Sequence, residues 1–111
     1  MPTILVAENE PGMRYFLAQI LGGSGYQIAE AASTAEALEL VRSAGIDLLL
    51  ADISLSGSLD LADTVRREHP AVRLLFVSAQ AWPEFALLRK PFTATDMLME
   101  VARLLAKAAG P

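Results

Sequence analysis

The chain has 111 residues, of which 53% are hydrophobic and 20% charged, with a formal net charge of −4. That length holds one domain, residues 1–111, with one core and no staples, and the apolar fraction excludes a disordered tail. No cysteine means no disulfide scaffold, thiolate metal site or cysteine nucleophile; a single histidine, His69, argues against histidine-based catalysis or zinc; the acidic balance argues against direct nucleic-acid binding.

In chain order, Thr3 to Ala7 is a short apolar run and is read as a strand. Pro11 to Leu21 places Met13, Phe16, Leu17, Ile20 and Leu21 on one helical stripe, with Pro11 in the first turn and Gly22-Gly23 as the stop. Tyr26 to Ala31 is a second strand. A second helix begins at Ser33, with Glu36 in the capping-box position, turns Ala37, Leu38, Val41 and Ala44 inward, and ends at Gly45. Asp47 to Ala51 and Val72 to Val77 are nearly continuous apolar runs, which implies strands buried on both faces. Between them, Asp60 to Glu68 reads as a helix with Leu61 and Val65 inward. Phe85 to Leu88 is a short fifth strand. A last helix begins near Thr93, with Asp96 at its third position and Leu98, Val101, Leu104 and Leu105 inward.

Alternating strands and helices predict an α/β domain: a doubly wound, five-stranded parallel sheet with right-handed crossovers, in the flavodoxin-like order 2-1-3-4-5. No apolar run reaches the roughly 18 residues of a membrane span, and no secretory signal opens the chain. A cytoplasmic protein with no membrane contact is expected.

In such a sheet the site lies beyond the carboxyl ends of the strands. There the sequence supplies Glu8-Asn9-Glu10 after strand 1, Asp52 after strand 3, Ser78 after strand 4 and Arg89-Lys90-Pro91 after strand 5. Two carboxylates about 4 Å apart repel by about 4 kcal/mol at an effective dielectric of 20, so they call for a counter-charge. Oxygen ligands without histidine or cysteine point to Mg2+ or a similar hard cation. A cation and a lysine facing carboxylates suit a phosphoryl group.

Four motifs in order, Ile4-Leu5-Val6-Ala7-Glu8-Asn9-Glu10-Pro11, Asp47-Leu48-Leu49-Leu50-Ala51-Asp52, Ser78-Ala79 and Lys90-Pro91-Phe92, resemble the receiver domain of two-component response regulators. The resemblance covers essentially the whole chain and implies the CheY-like form of the fold. It implies that Asp52 is the phospho-acceptor. Glu8, Asn9 and Asp52, with the backbone carbonyl of Ser54, would hold Mg2+ (or Mn2+). Ser78 would bond a phosphoryl oxygen, Lys90 would contact the phosphoryl group, and the Lys90–Pro91 bond would be cis. The implied partners are a sensor histidine kinase or phosphotransfer protein and a downstream protein target or output domain. The implied role is that of a switch, not a turnover enzyme; a homodimer is left open, as is the choice between a stand-alone regulator and one domain of a longer protein.

Three positions depart from the family pattern. Asn9 stands where an acid is usual, which predicts weaker metal binding. Leu87 stands three residues before the lysine, where an aromatic is common. Only eleven residues, Ala79 to Arg89, separate Ser78 from Lys90. A parallel crossover normally needs a dozen or more, so the fourth crossover helix is expected to be absent or a single turn near Pro83, as in an atypical single-domain subgroup. Trp82, Phe85 and Leu87 would then fill the gap or form a sticky surface. Simpler roles stand beside these: Asp52 as a loop cap, Glu8 and Glu10 as helix N-terminal acids (preferred for Glu10), Ser78 as a loop serine, Lys90 as a surface lysine, and Arg66-Arg67 as a solvated helix face. Two other functions are kept open: a degenerate receiver that signals by protein contacts without phosphorylation, and a flavodoxin-like small-molecule binder or hydrolase, for which the sequence offers no glycine-rich phosphate loop.

Overall fold

A computed structural model describes residues 1–107; the last four residues of the expected 1–111 domain lie outside the described residues. The elements are β1 (Thr3–Ala7), α1 (Pro11–Gly23), β2 (Gln27–Ala31), α2 (Thr34–Ser43), β3 (Leu48–Asp52), α3 (Ser58–Glu68), β4 (Arg73–Ser78), β5 (Leu87–Arg89) and α4 (Ala94–Ala106). All strands pair in parallel in the order β2-β1-β3-β4-β5, as the alternation of patterns predicts.

Burial on both faces explains the continuous apolar strands. On one face, Ile4, Val6, Leu48, Leu50, Leu75 and Val77 pack against Leu17 and Leu21 of α1 and Met97, Val101 and Leu104 of α4. On the other, Leu5, Leu49, Ala51 and Phe76 pack against Ala37 and Val41 of α2 and Leu61, Ala62 and Val65 of α3. Each helix start has a local cause. Glu10 caps α1 by accepting from the Gly12 and Met13 amides. Ser33 caps α2 through the Glu36 amide, and Thr93 and Asp96 form a full capping box on α4. Arg73 closes the other end of α4, donating to the Leu104 and Lys107 carbonyls.

Several boundaries and orientations differ from expectation. Helix α1 runs through Gly22 and Gly23; the chain turns instead at Gly25, whose φ of 98° is the left-handed conformation that glycine takes without strain. On α1 the inward face is Leu17, Ala18 and Leu21, so Phe16 is exposed and Met13 half-exposed at a cleft mouth. Helix α3 begins at Ser58, two residues earlier than Asp60: Gly57 adopts a φ of 82° and the Ser58 hydroxyl donates back to the Ile53 carbonyl. Phe85 lies before β5, not in it.

The fourth crossover helix is absent. Residues 79–86 hold one turn, closed by the Phe85 amide on the Trp82 carbonyl at 3.0 Å. Phe85 fills part of the space a helix would take, meeting Phe76 edge-on at 4.9 Å. Phe85 and Leu87 thus complete the α2/α3 core instead of forming an exposed sticky patch.

Candidate functional site

The register places the chemistry at one edge. Asp52, the last residue of β3, pairs with Val77; Ser78, the last of β4, pairs with Arg89; Glu8 and Asn9 follow β1 directly. Lys90 follows β5, and its bond to Pro91 is cis. A cleft of about 270 Å³ opens here, lined on its polar side by Glu8, Asn9, Asp52, Ser54 and Lys90 and on its apolar side by Met13, Leu17 and Phe92, among others.

Both oxygens of Asp52 are held. Lys90 Nζ lies 2.7 Å from Oδ2. The Ser54 amide and hydroxyl donate to Oδ1 at 2.9 and 2.7 Å. Partial burial pushes the Asp52 carboxyl up, but the bonds from Lys90 and Ser54 outweigh it and hold the group below its ordinary value of 3.8. A depressed folded-state value stabilises the fold only while the group is ionised. That contribution is fully present above the unfolded value and is lost as pH falls through the folded one. Urea unfolding of the chain and of Asp52→Asn between pH 7 and pH 3 should therefore converge at the acid end; parallel curves would show that the pairing adds nothing.

Glu8 is buried, and its Oε2 accepts from the Glu10 amide at 3.0 Å. Arg14 Nη1 donates to the Glu8 carbonyl at 2.8 Å, and Arg14 Nε lies 3.5 Å from Glu30 Oε1, so this arginine ties the ends of β1 and β2 together. No motif marked Arg14, because its partners are a backbone carbonyl and an acid on another strand. Asn9 is exposed at the cleft wall. Ser78 is the one candidate the structure does not bring to the lining. It is buried, its hydroxyl accepts from the Gln80 amide at 3.0 Å, and strand alternation puts it on the face of Phe76.

The donor set fits a hard cation in kind: two carboxylates, an amide oxygen and a backbone carbonyl, all oxygen. It is poorer in charge than a three-acid site. Among the described residues no group of three or more His, Cys, Asp and Glu side chains converges, because Asn9 brings an amide.

The family model for the response regulator receiver domain matches residues 4–102. The chain belongs to that family. It is 31% identical to the sensor kinase CckA of Brucella abortus over 95% of this chain, and 30% identical to the nitrogen assimilation regulatory protein NtrX of Azorhizobium caulinodans over 92%. It spans only 13% and 26% of those two proteins. The receiver protein CpdR of Brucella abortus matches at 28% identity over 97% of this chain and 100% of its own length. Among solved structures, the non-phosphorylated HemR receiver domain of Leptospira biflexa superposes with a TM-score of 0.87, at 25% identity over 100% of this chain and 99% of that one. TrrA of Thermotoga maritima, solved with Mg2+ and BeF, gives 0.85 at 26% identity over 94% and 99%. The chain is thus a response regulator receiver domain of the two-component type. No described helix of the receiver is long and apolar enough to cross a membrane.

Proposed function

We propose that this receiver accepts a phosphoryl group on Asp52 from a phosphohistidine of a sensor histidine kinase or phosphotransfer protein. The reaction depends on Mg2+ and switches the conformation that a downstream protein or output domain reads. The observation that carries this reading is the Asp52 carboxylate, ionised and fixed by Lys90 on one oxygen and Ser54 on the other. One carboxylate oxygen attacks phosphorus in line, the phosphorus–nitrogen bond breaks, and the imidazole leaves. Lys90 gives up its contact with Asp52 to meet the charge on the transferring oxygens. The Ser78 hydroxyl exchanges its bond from Gln80 for one to the acyl phosphate, and this movement biases the 79–86 segment between two arrangements. Hydrolysis of the acyl phosphate returns the chain to its starting state, so the domain acts as a switch beside a cytoplasmic kinase.

Glu8, Asn9, Asp52 and the Ser54 carbonyl are the residues that would hold Mg2+. When bound, the ion supplies positive charge to the phosphoryl oxygens. Asn9→Asp restores a carboxylate, and the dissociation constant for Mg2+ should fall by about tenfold, since affinity at such sites follows ligand charge count. Titration calorimetry reads this directly; an unchanged constant would remove Asn9 from the ligand set.

Incubation with acetyl phosphate and Mg2+, followed by intact mass measurement, tests the whole reading. One phosphoryl adduct is expected on the wild type and none on Asp52→Ala. A wild type that stays unmodified, or an adduct that survives the substitution, would overturn it in favour of a degenerate receiver.

A further inference from the structure

The helix-free segment between β4 and β5 is tied to the rest of the fold by few bonds. Within its own strand pair, the Phe76 amide donates to the Ala86 carbonyl at 3.0 Å and the Lys90 amide to the Ser78 carbonyl at 2.9 Å. Among the described residues, one side chain from another layer donates a hydrogen bond into the segment: Arg66 Nη2, to the Glu84 carbonyl at 2.7 Å. The same guanidinium sits 4.4 Å from the centroid of the Phe85 ring. Phe85 in turn rests edge-on against Phe76, which is fully buried. Arg66 therefore grips the segment by backbone and by ring. Arg67, its neighbour on α3, instead pairs with Asp63 at 3.1 Å on the exposed face. The pair Arg66-Arg67, uniform in sequence, divides into one anchoring and one solvated side chain.

We propose that Arg66 is a positioning residue for the Asp52 site: it anchors residues 79–86 to α3 and so holds Ser78, which directly precedes that segment, and Lys90, which follows it across the three residues of β5, in register with Asp52. This inference rests on the phospho-accepting reading of Asp52. The strand that delivers Lys90 is three residues long and pairs on one side only, with β4. No helix covers it on the α2/α3 face, so its placement depends on what fixes the segment before it. A small displacement there breaks the 2.7 Å contact of Lys90 with Asp52, and misplacement of about 1 Å is enough to slow a positioned reaction strongly. A guanidinium suits the task. It stacks flat on a ring while its fork reaches a carbonyl, whereas a lysine keeps the charge but loses the stacking plane.

The test compares Arg66→Ala, Arg66→Lys, Phe85→Leu and the control Arg67→Ala in two measurements. The first is the rate of adduct formation with acetyl phosphate and Mg2+. The second is amide hydrogen exchange in the unphosphorylated chain, read at Phe76 and Lys90 against the β1 and β3 amides. Arg66→Ala should exchange about tenfold faster at Phe76 and Lys90 alone, and form adduct at least about fivefold more slowly. Arg66→Lys should recover part of both, and Arg67→Ala should match the wild type. Phe85→Leu keeps the apolar volume and removes the ring, so it should repeat the local exchange pattern even if Arg66→Ala folds poorly. Identical behaviour of Arg66→Ala and Arg67→Ala overturns the proposal. So does faster exchange spread evenly over all strands, or wild-type exchange in Phe85→Leu. A wild type that forms no adduct overturns the reading of Asp52 instead, and the exchange comparison still decides whether Arg66 places Lys90.

Discussion

Replacing Lys90 with alanine is expected to slow phosphoryl transfer to Asp52 by about 10²- to 10³-fold, the usual effect of removing one preorganised charge partner from a developing transition state. The geometry argues for a loss in that range. Lys90 is the cation that touches Asp52 directly, at 2.7 Å, and its side chain is about half exposed, so part of its field is screened by water. In the ligand set proposed above, Asn9 stands in place of an acid, so Glu8 and Asp52 carry its negative charge, and a more weakly held ion would leave more of the neutralisation to the lysine. Initial rates of adduct formation at fixed acetyl phosphate and Mg2+ measure the effect. Lys90→Arg keeps the charge but places a planar fork where a point charge fits, and should restore only part of the rate. A drop of less than about threefold in the alanine variant would show that Lys90 stands beside the reaction without taking part in it.

Phe76→Ala should destabilise the fold by about 3–5 kcal/mol, near the top of the range for large-to-small changes in a core. Phe76 is 1% exposed and lies in the α2/α3-side core, with the helix-free segment rather than a helix beyond it. Its ring supports Phe85, so the substitution removes both a packed side chain and the seat of the segment above it. A domain of this size commonly has about 5–15 kcal/mol in all, so the variant should be marginal at 37 °C. Leu59→Ala, at a position 44% exposed, should change stability by no more than about 0.5 kcal/mol. Urea unfolding of both variants supplies the comparison. A loss below about 1.5 kcal/mol for Phe76→Ala would mean that the loop collapses into the space.

The central strands were legible because burial on both faces leaves a simple mark, Leu48-Leu49-Leu50-Ala51 and Leu74-Leu75-Phe76-Val77 allowing no solvent face, and their order followed from the alternation of strands and helices. The missing helix was legible from length alone. The grouping of the candidate residues was legible because they follow strand ends at fixed offsets, so that Glu8, Asn9, Asp52, Ser54 and Lys90 line one cleft. What escaped the sequence is orientation and long-range contact. Ser78 has the right place in the chain, but its hydroxyl is engaged by Gln80 on the other face. On α1, Leu17, Ile20 and Leu21 of the expected stripe pack against the sheet, whereas Phe16 is exposed and Ala18, outside the stripe, is buried. Gly22 and Gly23 do not stop α1, because glycine weakens a helix by only about 1 kcal/mol, too little to end one that is packed against a sheet. Arg14 and Arg66 reach backbone carbonyls, which carry no residue-type signature.

The brevity of β5 also bears on how the receiver behaves at high concentration. An open sheet offers its outer strands as templates for other chains, and long, flat, apolar edges invite stacking into aggregates. Here one outer strand is three residues long, ends in Arg89 and is followed at once by Lys90. The other, β2, carries exposed Gln27 and Glu30. A strand arriving at either border finds few free backbone groups or a charge in its path. The short return from β4 that removes a helix therefore also trims the border of the sheet, and the chain gains resistance to edge-to-edge association from the same economy of length.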